Sequence, residues 1–127
     1  MKRTILIVED HDEVRANLHD WLSAVFPNCI FSESKSGEEA VNKIIAQPPA
    51  LVLMDVGLPR MNGIQATRVI KSVSPETKVV ILTIHEDPRY QADAASAGAN
   101  GYVIKRKMHS ELISVMKNLL SNKDTIV

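Results

Sequence analysis

Only one cysteine, Cys29, stands in 127 residues, so the chain closes no internal disulfide. That excludes a disulfide-stapled secreted scaffold and suits a reducing compartment. Cys29 lies in an apolar stretch and reads as a small buried hydrophobe. Charge of one sign is not in excess, since 15 Lys and Arg face 15 Asp and Glu. A basic footprint is missing, so this segment is expected to bind no nucleic acid directly. No apolar run reaches the ~18 residues of a membrane span. Met1-Lys2-Arg3 followed by apolar residues imitates a signal peptide, but Glu9-Asp10 cuts the run too early. The expectation is a cytoplasmic protein without a membrane partner. Repeats and low-complexity segments are also absent.

What is present is 45% hydrophobic residues, ample for one core and too many for a disordered chain. The central piece is Ala50-Leu51-Val52-Leu53-Met54-Asp55. Its short apolar run, bounded by Pro48-Pro49 and by Gly57 and Pro59, reads as a strand buried on both faces. The acid then falls at the carboxyl end of the strand, the edge where open α/β sheets bind ligands. Thr4-Ile5-Leu6-Ile7-Val8 is a second such strand and ends on Glu9-Asp10. Asp12 is placed to cap the helix that follows, with Val14, Leu18, Trp21, Leu22 and Val25 inward.

Cys29-Ile30-Phe31 reads as a short strand near an edge, and Ser36-Gly37 as a turn. Ala40, Val41, Ile44 and Ile45 mark a second helix; Ala66, Val69, Ile70 and Val73 mark a third. Strand four is 78–83, ending on Thr83. An Ala-rich helix over 87–97 buries little surface and is expected to be weakly anchored, with Gly98 as its cap. Gly101-Tyr102-Val103-Ile104-Lys105 is a fifth strand ending on a cation. Leu112, Ile113, Met116, Leu119 and Leu120 form the last amphipathic helix. Strands alternating with helices predict an α/β, doubly wound (βα)5 flavodoxin-like fold, with a five-stranded parallel sheet in the order 2-1-3-4-5. The domain is expected over residues 1–121, with 122–127 a tail or the start of a linker.

Four strands thus deliver polar groups to one rim: Glu9 and Asp10, Asp55, Thr83 and Lys105. Each has a bland alternative, as helix-start acid, strand residue or solvated strand end, but their placement on one rim favours a site. Carboxylates crowded together repel one another, and a hard divalent cation such as magnesium resolves the conflict. A carboxylate can serve as a nucleophile toward phosphorus, with a hydroxyl and an ammonium cradling the phosphoryl oxygens.

With these pieces in place, the sequence resembles the receiver domain of two-component response regulators. The matching segments are Val8-Glu9-Asp10, the run from Met54-Asp55 through Asn62-Gly63, Leu82-Thr83, and Gly98-Ala99-Asn100-Gly101-Tyr102-Val103-Ile104-Lys105. The last of these, with the helix at Glu111-Leu112, looks most like receivers attached to helix-turn-helix DNA-binding domains. The resemblance implies that Asp55 accepts a phosphoryl group from a sensor histidine kinase or phosphotransfer protein. It implies Mg2+ bound by Asp10, Asp55 and the backbone carbonyl of Gly57, with Glu9 acting through water. Thr83 and Lys105 would bind the phosphoryl oxygens, and Tyr102 would be the switch aromatic beside Thr83. Such a domain is a switch and not an enzyme, at most catalysing its own phosphorylation and slow dephosphorylation. A homodimer on phosphorylation and a C-terminal DNA-binding domain outside this chain, controlling transcription, complete the expectation.

Three positions depart from the family pattern. Arg106 follows the lysine where many members have proline, which disfavours a cis bond there. Ile84 replaces a small residue and is expected to narrow access to Asp55. Gly57 carries no side chain where other members carry a polar one. Competing readings weigh less. A non-phosphorylated pseudo-receiver would not need the full acidic set. A flavin carrier would need a phosphate-cradling loop where Glu9-Asp10-His11-Asp12-Glu13 stands. An aspartyl phosphatase would want a second acid at Gly57. His11, His19, His85 and His109 show no metal-ligand spacing and read as surface residues.

Overall fold

The computed structural model describes residues 2–121. The tail expected over 122–127 lies outside them. The chain alternates strand and helix: β1 (Arg3–Val8), α1 (Asp12–Val25), β2 (Cys29–Ser34), α2 (Gly37–Ala46), β3 (Leu51–Met54), α3 (Gly63–Val73), β4 (Lys78–Thr83), α4 (Pro88–Ser96), β5 (Gly101–Ile104) and α5 (Met108–Ser121). All strand pairs are parallel, and the order is β2-β1-β3-β4-β5. This is the doubly wound arrangement expected from the alternation.

Strand periodicity divides the core in two, because successive side chains leave a strand on opposite faces. Leu6, Val8, Val52, Met54, Val79 and Ile81 meet α2, α3 and α4 through Ala40, Ile44, Ala66, Ile70 and Ala94. Ile5, Ile7, Leu51, Leu53, Val80, Leu82 and Val103 meet α1 and α5 through Leu18, Leu22, Leu112, Met116 and Leu120. The helices are not held equally. Among the residues of α4 only Ala94 is buried, whereas α5 buries Leu112, Met116 and Leu120. A buried Leu or Met contributes about 1.5–3 kcal/mol, and a single methyl well under that. The weak anchorage expected for the Ala-rich segment is therefore present. Gly98 closes it at φ +100, a left-handed conformation that costs glycine little.

Several local expectations need correction. β2 runs six residues, because it pairs along the whole of β1. Ser36-Gly37 is a helix start and not a turn: the Ser36 hydroxyl accepts from the Glu39 N–H, and Gly37 opens α2. Asp12 does not cap α1; His11 holds the cap position without a side-chain bond, and Asp12 pairs with Arg15. Ile45 and Val73 face solvent at 62% and 48% exposure, whereas Ile44 and Ile70 on the same helices are buried. Cys29 is only half-buried, at the start of an edge strand. Lys105 lies just beyond β5, in a short 3-10 turn (Lys105–Lys107). No peptide bond among the described residues is cis, so Lys105–Arg106 is trans.

The loop after β3 is held tightly against the strand end. Asn62 caps α3 by accepting from the Ile64 and Gln65 N–H groups, while the Gln65 side chain accepts from the Asn62 N–H. Gly63 then passes so close to the strand end that a Cβ would lie 2.0 Å from the Asp55 carbonyl oxygen. Gly63→Ala is expected to lower stability by at least about 2 kcal/mol, since overpacking against fixed backbone has little room to relax. Urea unfolding measures it; a loss below about 0.5 kcal/mol would mean that this loop yields freely.

Candidate functional site

Each strand end places its polar group by leaving the sheet at the same rim. Asp55 follows β3 directly, is 8% exposed, and is anchored by its N–H donating to the Val8 carbonyl across the strands. Its carboxylate accepts from the Gly57 N–H at 3.3 Å. Glu9 follows β1 and is 1% exposed. Lys105 reaches across from the end of β5, placing Nζ 2.8 Å from Glu9 Oε1 and 3.8 Å from Asp55 Oδ1. Asp10 is partly exposed, but its Oδ1 is buried without a hydrogen-bond partner.

The expected acids and cation therefore converge. Thr83 and Tyr102 stand apart from them: among the described residues no hydrogen bond ties either to the acids. Both instead bond to one loop residue. The fully buried Thr83 hydroxyl accepts from the His85 N–H at 3.1 Å, and the Tyr102 hydroxyl donates to the His85 carbonyl at 2.8 Å. Ile84 is 71% exposed and lies largely in solvent.

Two participants were not evident in the sequence. The first is His11, read as a surface residue without ligand spacing. It is exposed, but its Nδ1 lies 3.0 Å from Glu9 Oε2 and 3.3 Å from Asp10 Oδ1, and its backbone N–H donates to the same Glu9 oxygen. The useful signal was its place directly after two acids; a search for helical ligand pairs looks past consecutive loop residues. The other histidines also have partners, His19 on Glu33, His85 stacked on Tyr90 and His109 against Trp21. The second is Arg15, buried on α1. It donates to the Glu9 carbonyl at 2.8 Å, to Glu33 at 2.8 Å and to Asp12 at 2.7 Å. Arginine is seldom buried unless paired, and nothing in the local pattern reveals the partner on β2.

The charges are unequal in consequence. Burial pushes the Asp55 carboxyl up, and the neighbouring Glu9 charge adds to it; Lys105 offsets only part. Burial also pushes Glu9 up, but hydrogen bonds from Lys105 and His11 outweigh it and leave Glu9 below its ordinary value. The Glu9 bond, then the Asp10 charge, raise His11. Glu9, Asp10, His11 and Asp55 each offer a ligand atom, all within 4.8 Å of one another. Such a cluster can hold a divalent cation.

A family model described as the response regulator receiver domain matches residues 5–117. The chain belongs to that family. It is the receiver domain of a two-component system, a phosphoacceptor switch and not an enzyme. It is 32% identical over 116 residues to the transcriptional regulatory protein DegU of Brevibacillus brevis, covering 91% of this chain and 49% of that one. It is 31% identical over 119 residues to the response regulator UvrY of Escherichia coli (strain K12), covering 94% and 55%. The chain thus spans about half the length of the curated relatives it matches. Among solved structures, a LuxR-family two-component response regulator from Aurantimonas sp. SI85-9A1 superposes with a TM-score of 0.89 at 29% identity, covering 96% of this chain and 87% of that one. No helix among the described residues is long and apolar enough to cross a membrane.

The raised Asp55 carboxyl gives a stability prediction. An acid held above its ordinary value of 3.8 in the fold costs stability where it is charged. The cost is complete above the folded value and vanishes as pH falls to the unfolded one. Asp55→Asn removes it, so the variant is expected to be more stable than wild type at pH 7. That advantage should disappear as pH falls toward 3.8. Denaturant midpoints across pH measure it; an equal advantage at pH 7 and in acid would deny the charge origin.

Proposed function

We propose that Asp55 is the phosphoacceptor of this receiver, taking its phosphoryl group from a sensor histidine kinase or a phosphotransfer protein. The carrying observation is a buried carboxylate at the carboxyl end of the central strand, with Lys105 Nζ 3.8 Å away and the carboxylates of Glu9 and Asp10 beside it. An Asp55 oxygen attacks phosphorus, the bond from phosphorus to the donor imidazole nitrogen breaks, and that nitrogen keeps the electron pair. Lys105 and the Thr83 hydroxyl bind phosphoryl oxygens. To do so Lys105 shifts its partnership from Glu9, and Thr83 gives up its bond from the His85 N–H.

The donor set fits Mg2+. It is all oxygen if taken from Asp10, Asp55 and the Gly57 carbonyl, with Glu9 reached through water, and the buried Asp10 Oδ1 has no hydrogen-bond partner. When bound, Mg2+ neutralises charge on the phosphoryl oxygens. Thr83 and Tyr102 share His85, so withdrawal of the Thr83 hydroxyl loosens the loop that Tyr102 holds. Tyr102 and α4 are the elements free to respond. The receiver occupies residues 1–121, with 122–127 a tail or the start of a linker. Transcriptional control in the cytoplasm, by a homodimer formed on phosphorylation, is the output this reading favours.

Incubation with a small phosphodonor and Mg2+, or with the cognate kinase, is expected to add one base-labile phosphoryl group, seen by mass spectrometry. Asp55→Asn should lose it, and undiminished labelling of that variant would overturn the assignment. Asp10→Ala should lose the rise in melting temperature that millimolar Mg2+ gives wild type; equal rises would remove Asp10 as a ligand. Thr83→Ala should still accept phosphate, while hydrogen exchange over residues 83–105 responds less than in wild type. A full wild-type response in that variant would eliminate Thr83 as the relay.

A further inference from the structure

Residues 84–87 join β4 to α4, and three consecutive positions tie this loop down. His85 carries two neutral bonds, its N–H donating to Thr83 and its carbonyl accepting from Tyr102. Asp87 caps α4 by accepting from the Arg89 N–H. Glu86, between them, is held by charge from another loop. Arg106 Nε lies 2.7 Å from Glu86 Oε2, and Arg106 Nη2 lies 2.7 Å from Glu86 Oε1. Two parallel bonds of this kind fix direction as well as distance. The bond from Arg106 holds the Glu86 carboxyl below its ordinary value. Arg106 stands in the short turn after β5 and directly follows Lys105. The pair thus joins the loop beyond Thr83 to the turn that carries Lys105. A proline at 106, as in many members of the family, would offer no such bond.

We propose that Arg106 and Glu86 form a resting-state clasp, which holds the β4–α4 loop where the His85 N–H captures the Thr83 hydroxyl and so slows the departure of this receiver from its unphosphorylated form. This rests on the reading of Asp55 as phosphoacceptor and Thr83 as a phosphoryl ligand. Arg106 is a positioning residue that acts on Thr83 through Glu86 and His85. Glu86 adjoins His85 in the chain, so a loop pinned at Glu86 keeps the His85 donor in place. The side chains of Arg106 and Glu86 are 62% and 47% exposed, so water and salt screen the pair and the clasp is light. Lys107 acts on Glu86, and Glu111 on Arg106, by charge alone. A light clasp suits a switch, because a ligand shifts an equilibrium only by its differential affinity for the two states.

The test follows labelling by phosphoramidate at saturating Mg2+ and low salt, read by mass spectrometry, in wild type, Arg106→Ala, Glu86→Ala and the double variant. Each single variant is expected to label about two- to fivefold faster than wild type, the range an exposed pair supplies. The double variant should label no faster than either single one, since both remove the same pair. Without phosphodonor, the His85 amide should exchange faster in Arg106→Ala by a similar factor, while the amides of β1 and β3 keep their wild-type rates. A general loss of stability would speed those core amides as well. Unchanged His85 exchange in Arg106→Ala would overturn the clasp, as would labelling equal to or slower than wild type. Gains that multiply in the double variant would deny that the two residues act as a pair. Labelling of Asp55→Asn at the wild-type rate would instead overturn the phosphoacceptor reading, and the His85 exchange would still decide the clasp.

Discussion

The ammonium of Lys105, 2.8 Å from Glu9 and 3.8 Å from Asp55, is the interaction on which the rest of the site depends. Glu9 and Asp55 are both buried at the rim, and their charges oppose each other. Breaking a buried pair by removing one member leaves the other charge uncompensated, which is why such a cation is hard to replace. The neutralisation is incomplete, however. It leaves Glu9 comfortable and Asp55 uncomfortable, and the less stable carboxylate is the one with most to gain from a new partner.

Around that pair the chain builds a frame from β1, α1 and β2. Arg15 ties the Glu9 carbonyl to Asp12 and Glu33, so the loop that carries both rim acids is fixed from beneath. Lys43 adds a bond from α2 to the Glu33 carbonyl. On the opposite side, β4 and β5 meet through a different device. His85 offers its N–H to Thr83 and its carbonyl to Tyr102, so two side chains from separate strands hold one loop residue. These are weak neutral bonds, worth about 0.5–1.5 kcal/mol each. The rim acids thus stand on a charged frame, and the loop after β4 is held by lighter bonds.

The fold was legible because its strands are buried on both faces. Continuous apolar runs such as 51–54 and 79–82 leave little choice but a covered parallel sheet, and the polar residue ending each run marks the rim. Asp55, Glu9, Asp10 and Lys105 could therefore be brought together from the sequence alone. What escaped was whatever depends on side-chain direction. Arg15 is a buried ion-paired residue whose partner Glu33 lies 18 positions away. His11 joins the acids only because its ring turns back over the loop. Asp12 was expected to cap a helix and pairs with Arg15, since an acid at a helix start serves either role. Ile45 and Val73 followed the helical period yet are turned to solvent.

The close pass of Gly63 has a mechanical consequence. On the α3 side, backbone presses against the Asp55 carbonyl with no room for a methyl, and the Asn62–Gln65 cap stiffens the same corner. On the α4 side, one buried alanine holds the helix. Asp55 therefore lies between a stiff wall and a compliant one. On the proposed reading, a charge added at that carboxylate displaces the lightly held β4–α4 loop before it displaces α3.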